Sequence, residues 1–68
     1  MITYDNLWAT MAAKNITQYQ MIKDGFSTGT LDALRKNKSI TINTLDALCH
    51  YLNCTPNEIL VYSKEETL

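Results

Sequence analysis

The sequence predicts an all-α domain of five short helices, and three observations carry that prediction. Apolar residues recur at three- and four-residue spacing, the mark of helices with one buried face. Residues that open helices, Thr17, Ser27, Thr41 and Pro56, alternate with residues that close them, Gly25 and Asn37. No stretch has the length and alternation of a paired strand: Ser39–Ile42 has some β propensity but is short and without a partner.

The first helix spans about Tyr4 to Lys14, because Leu7, Trp8 and Met11 fall on one face and Lys14 and Asn15 close the run. Thr17 stands just before Gln18, Tyr19, Gln20, Met21 and Ile22, where its hydroxyl can cap a short second helix that stops at Gly25. Phe26 is the apolar residue that a turn packed on a core needs. Ser27 caps the third helix, which buries Leu31 and Leu34 and runs to about Lys36, with Asn37 as its terminator. Thr41 opens the fourth, where Leu45, Leu48, Cys49 and Leu52 lie at i, i+3, i+4 and i+7. Thr55, Pro56, Asn57 and Glu58 read as a capping box with proline at the first helical position, leading a fifth helix into Ile59 and Leu60. Val61 to Leu68 either frays as a tail, from about Tyr62, or pairs with another copy.

A chain of 68 residues buries only about 60% of its unfolded surface, so one modest core and one domain over residues 1–68 are expected. That leaves little material for an enclosed catalytic cleft, and no enzyme or cofactor is expected. Apolar residues are 46% and charged residues 19%, too apolar for a disordered chain. No apolar run approaches the roughly 18 residues of a membrane span, and Met1 to Asn6 lack the features of a secretory signal, so a cytoplasmic protein without membrane partners is expected. Two small core thiols in a reducing compartment account for Cys49 and Cys54, and no disulfide is predicted. Cys49, His50 and Cys54 lack a fourth ligand, so no metal is expected, and His50 reads as a surface residue of the fourth helix. Trp8, Tyr4, Tyr19, Tyr51 and Tyr62 are assigned to the core or to a dimer contact rather than to base stacking.

Net charge is −1, which phosphate recognition does not favour, but the distribution is uneven. From Lys14 to Lys38, the cations Lys14, Lys23, Arg35, Lys36 and Lys38 outweigh Asp24 and Asp32, giving +3 locally, while the flanks are acidic. The informative unit lies in this window: a short capped helix, a Gly-Phe-Ser turn, and a second helix with its own core stripe. Two helices joined this tightly cross steeply. The first can then brace on a phosphate backbone while the second lays its outer face along the major groove. With Leu31 and Leu34 inward, Thr28, Gly29, Asp32, Ala33 and Lys36 lie around the other side. Ser27, Thr28 and Thr30 supply hydroxyls, Gly29 and Ala33 allow close approach, and Arg35, Lys36 and Lys38 supply cations for phosphate or guanine. Asp32 fits opposite a cytosine amino group and is repelled by phosphate.

Two runs, LWATMAAKNITQYQMI (residues 7–22) and GFSTGTLDALRKNKSITINTLDALCHYLNCTPNEIL (residues 25–60), together resemble the Cro and lambda-repressor type of helix-turn-helix domain. They are especially similar to short stand-alone regulators of bacteria and their phages. The Gly-apolar-Ser turn, Leu31 and Leu34, the Ser39-Ile40-Thr41 link and Thr44-Leu45 carry the likeness together. The resemblance implies a five-helix fold with helices two and three as the helix-turn-helix, a homodimer, and contacts to duplex DNA near Gln18, Ser27, Thr28, Gly29, Thr30 and Ala33. Asp24 departs from the pattern, standing where the family usually has an apolar residue, and helix two fits better with one residue missing before the turn. A sequence-specific regulator, in particular a repressor, is the function these expectations give. The alternative is a protein-interaction module of the same fold, an antirepressor or antitoxin-like partner, with which the net acidity is consistent.

Overall fold

The computed structural model describes residues 1–64. Four helices are present, α1 (Asp5–Ala13), α2 (Gln18–Lys23), α3 (Thr28–Arg35) and α4 (Ile42–Leu52), followed by a single 3₁₀ turn over Pro56–Glu58. A two-residue strand β1 (Ile2–Thr3) pairs antiparallel with β2 (Val61–Tyr62), Ile2 opposite Tyr62 and Thr3 opposite Val61.

One local grammar ends all four helices. Asn15, Gly25, Asn37 and Asn53 each adopt positive φ, at 57°, 118°, 55° and 53°, within two residues of a helix end. In each case the next residue's N–H reaches back to the carbonyl five positions earlier: Ile16 to Met11, Phe26 to Met21, Lys38 to Ala33, and Cys54 to Cys49, at 2.8–3.0 Å. Carbonyls that a helix end would leave bare are thereby satisfied. Glycine meets the requirement at no steric cost, and asparagine is the side chain that tolerates it best. In three of the four the following residue but one caps the next element, so Asn15-Ile16-Thr17, Gly25-Phe26-Ser27 and Asn53-Cys54-Thr55 are three-residue corners of the same construction. Thr17, Ser27 and Thr41 accept from the amides of Gln20, Thr30 and Thr44 at 3.0–3.1 Å, as their positions in the sequence predict.

Tyr4, Leu7, Met11, Met21, Leu31, Leu34, Leu48, Leu52 and Ile59 form the core, with no buried polar side chain among the described residues. Leu45 and Cys49, expected on the buried stripe of α4, lie at its edge, partly exposed and packed against the core. Burying a leucine side chain contributes roughly 1.5–3 kcal/mol, so this cluster carries most of what so small a domain has to offset its chain entropy.

Two expectations are corrected here. The fifth helix stops after one turn because α1 occupies the carbonyls it would need. Asn6 Nδ2, Thr10 Oγ1 and Leu7 N–H donate to the carbonyls of Asn57, Glu58 and Ile59 at 2.7–3.0 Å. Those are the acceptors an α-helix would give to residues 61, 62 and 63. Residues 61 and 62 take strand partners instead, which also overturns the expectation of no strands and moves the start of any tail beyond Ser63, whose N–H donates to the Met1 carbonyl at 2.9 Å. Residues 65–68 of the expected tail lie outside the described residues.

Candidate nucleic-acid interface

The corner Gly25-Phe26-Ser27 sets α3 across α2, and it is clamped from behind by α4. The Tyr51 ring meets Phe26 edge to face, with centroids 5.3 Å apart at 73°, and its hydroxyl donates to Asp24 Oδ2 at 2.5 Å. Gln20 Nε2 donates to the same carboxylate oxygen at 3.0 Å. The Tyr51 hydroxyl first and the Gln20 amide second hold the Asp24 carboxyl below its ordinary range, and the carboxylate in turn pushes the Tyr51 phenol up. The departure at Asp24 thus has a structural cause. Asp24 is the exposed residue that follows the last residue of α2 and anchors the fourth helix, so an apolar side chain has nothing to bury there. This clamp is absent from the sequence reading, because Tyr51 lies 27 residues from Asp24 and carries no local signal of its partner.

On α3, Leu31 and Leu34 are fully buried. Gly29, Asp32, Ala33 and Lys36 therefore share the opposite stripe at i, i+3, i+4 and i+7, with Thr28 beside them at the helix start. Thr28 and Gly29 are exposed, and Ala33 and Asp32 half-buried. Ser27 Oγ accepts from Thr30 N–H at 3.0 Å and lies 2.9 Å from the Thr30 hydroxyl, which ties both side chains to the cap. The N–H groups of Thr28 and Gly29 bond no described residue, so two amides at the positive end of α3 face outward. A Cβ added to Gly29 would meet only Ser27 Oγ, at 3.9 Å, and its φ is not in the left-handed region. The fold therefore gives no reason for a glycine there, although glycine costs a helix up to about 1 kcal/mol relative to alanine.

The cations of this face are organised rather than free. Asp32 pairs with Lys36 at 3.2 Å and with Arg35 at 3.7 Å, and Arg35 Nη1 also donates to Gln18 Oε1 at the start of α2. The pairs are about half exposed, where such contacts add 1 kcal/mol or less to stability, so their effect is to hold the side chains in place. Gln18, Asp32, Arg35 and Lys36 thus form one network across the helix-turn-helix seam. Lys38 does not join it. It sits beyond the end of α3, where its carbonyl accepts from the Tyr4 hydroxyl at 2.6 Å and where it borders a groove on another side of the domain. Asn37, its neighbour, accepts from Tyr4 N–H at 3.1 Å. Burial pushes the Tyr4 phenol up.

The Cro/C1-type HTH DNA-binding domain matches residues 6–65. The chain belongs to that family. The crystal structure of the transcriptional regulator VanUg superposes on it with a TM-score of 0.85 at 28% identity, over 94% of this chain and 87% of that one. No curated protein matches it. The family fixes helix-turn-helix as the meaning of α2, the corner and α3. Among the described residues, no three His, Cys, Asp or Glu side chains gather as a metal site, and no helix is long and apolar enough to cross a membrane.

Proposed function

We propose that this domain is a sequence-specific transcriptional regulator, a repressor, that binds duplex DNA as a homodimer with α3 in the major groove. The observation that carries the reading is the α3 outer stripe. Gly29 and Ala33 leave the helix backbone uncovered at its centre, two free amides stand at its positive end, and a fixed set of cations flanks it. A surface of small residues between polar ones suits an edge that must come close to base pairs, because side-chain bulk there would hold the helix out of the groove. Arg35, steadied by Gln18 at the seam with α2, and Lys36 on the stripe would meet phosphates on the two walls.

In this reading Asp32 acts by orienting Arg35 and Lys36. Paired with both, it is less available to a cytosine amino group than its place on the stripe alone implies. That VanUg is a transcriptional regulator supports the regulatory role, and the reducing cytoplasm is the compartment in which such a protein meets DNA and keeps Cys49 and Cys54 as free thiols.

Salt dependence tests the reading. Binding to duplex DNA should fall steeply with added salt, with a log–log slope of about −0.9 per phosphate contacted. Lys14, Lys23, Arg35, Lys36 and Lys38 are the cations available to supply those contacts. Absence of binding at low salt, or binding that salt leaves unchanged, would favour a protein partner for the same face.

A further inference from the structure

The turns that end the helices also bring together residues five positions apart, because the amide of the later residue bonds the carbonyl of the earlier one. After α1 that pair is Met11 and Ile16, and after α2 it is Met21 and Phe26. At the end of α4 both places are cysteines, Cys49 and Cys54, and the chain has no others. Asn53 makes this turn at a φ of 53°, and two backbone bonds close it. Cys54 N–H donates to the Cys49 carbonyl at 3.0 Å, and Asn53 N–H to the His50 carbonyl at 3.3 Å. With ordinary bond lengths, the first of these keeps the two cysteine Cα atoms within about 7 Å, the span beyond which a disulfide needs backbone movement. In this motif the two side chains commonly touch as well. Burial first, and the neighbouring Cys49 sulfur next, push the Cys54 thiol up. Both residues pack at the edge of the core and stay partly exposed as free thiols. Cys49 also lines a hollow with Asp46 and Pro56, where a small reagent can reach it.

We propose that Cys49 and Cys54 form a reversible dithiol–disulfide site, oxidised by a small-molecule disulfide, whose bridged form locks the end of α4. The Cys49 thiolate attacks one sulfur of the reagent and expels the other half as a thiolate, leaving a mixed disulfide on Cys49. Cys54, the better shielded sulfur, keeps its proton until this point. It then gives the proton to the expelled thiolate, attacks Cys49 Sγ and releases the second half of the reagent as a thiol. Two S–H bonds become one S–S bond, and two electrons and two protons leave with the reagent as two thiols. In a reducing compartment the resting state is therefore the dithiol, and an excess of small-molecule disulfide converts it. The bridge spans Cys49, His50, Tyr51, Leu52, Asn53 and Cys54. Tyr51, inside that loop, carries the ring and hydroxyl that clamp Phe26 and Asp24 at the corner before α3. Oxidation thus keeps the last turn of α4, and the clamp it carries, from unwinding. None of these steps depends on what α3 binds.

Equilibration of the whole chain with oxidised and reduced glutathione at graded ratios, then acid quenching and mass measurement without reductant, tests this. The parent should lose the mass of two hydrogen atoms, retain no glutathione, and yield a peptide pair linked through Cys49 and Cys54. Dithiothreitol should return both thiols. The oxidised parent should unfold at a higher temperature than the reduced one. In urea, where the turn is no longer held, half-oxidation should need a larger share of oxidised glutathione, since a bridge that stabilises the fold is stabilised by it in return. Cys54→Ala and Cys49→Ala should each stop at the mixed disulfide, Cys49→Ala more slowly; thermal unfolding of the reduced variants checks that they fold, and the comparisons on the parent need neither. A parent that keeps both thiols or ends as a mixed disulfide would overturn the proposal. So would a bridge between two chains, a bridge that lowers the unfolding temperature, or a half-oxidation ratio that urea leaves unchanged.

Discussion

The two ends of α3 are held on different terms. At its start, a three-residue corner, a serine cap and a positive-φ glycine fix the backbone through contacts a few residues apart, with Tyr51 as the long-range tie. At its end, Asn37 and Lys38 are fixed by Tyr4, more than 30 residues away, beside a ribbon that joins residues 2–3 to 61–62. The first end is polar and leaves small residues outward; the second leaves large apolar ones outward. A surface fixed locally can vary its outward side chains without disturbing the core, as a reading surface must. One assembled from distant segments depends on the whole fold being in place.

Both ends stand on the same core, so the largest expected effect spares neither. Leu34→Ala empties a fully buried site under α3 and should cost about 2–5 kcal/mol, read from the denaturant midpoint. Leu48→Ala should do the same from α4. A variant that unfolds like the parent would mean that the inward face of α3 is wrongly assigned.

A smaller effect should be confined to the start of α3. Tyr51→Phe keeps the ring against Phe26 and removes the hydroxyl from Asp24. The Asp24 carboxyl is held below 3.8, so its share of stability is present above that pH and lost as pH falls through the lowered value. The Tyr51 phenol is raised above 10.0, so the same bond is present below that pH and lost as pH rises through the raised value. Parent and variant should therefore differ most in unfolding free energy between these limits and converge outside them. A constant difference from acid to alkali would remove the bond from the account.

The corners were legible because Thr17, Ser27 and Thr41 act on amides three residues away, and Gly25 and Asn37 act on their own backbone. Leu31 and Leu34 named the buried face of α3 for the same reason. Where the sequence misled, a distant segment competed with a local signal. Pro56 and Glu58 do start a turn, but Asn6, Leu7 and Thr10 claim the carbonyls that would extend it. The strands are two residues long and 58 apart in the chain, which no periodicity can show. Lys38 is close to Arg35 and Lys36 in sequence, but it lies beyond the end of α3 and borders the groove beside the β-ribbon.

The smallest effect on stability should be the most informative about the stripe. Gly29→Ala should raise stability by up to about 1 kcal/mol, since the added methyl meets nothing closer than 3.9 Å, and should weaken binding to the preferred duplex. Stabilisation with undiminished affinity would show that nothing approaches Gly29 closely.

The central claim, that the α3 stripe reads base pairs while its flanking cations only anchor, is tested most directly by Ala33→Glu. A duplex selected from a random pool and a scrambled version of it would compete for the parent, for Ala33→Glu and for Lys36→Ala. Ala33→Glu should unfold near the parent temperature and lose its preference for the selected duplex, because an anion then stands in the groove. Lys36→Ala should weaken both duplexes alike, lowering the salt slope by about 1. A folded Ala33→Glu that still prefers the selected duplex as strongly as the parent would contradict the account and place the reading surface elsewhere.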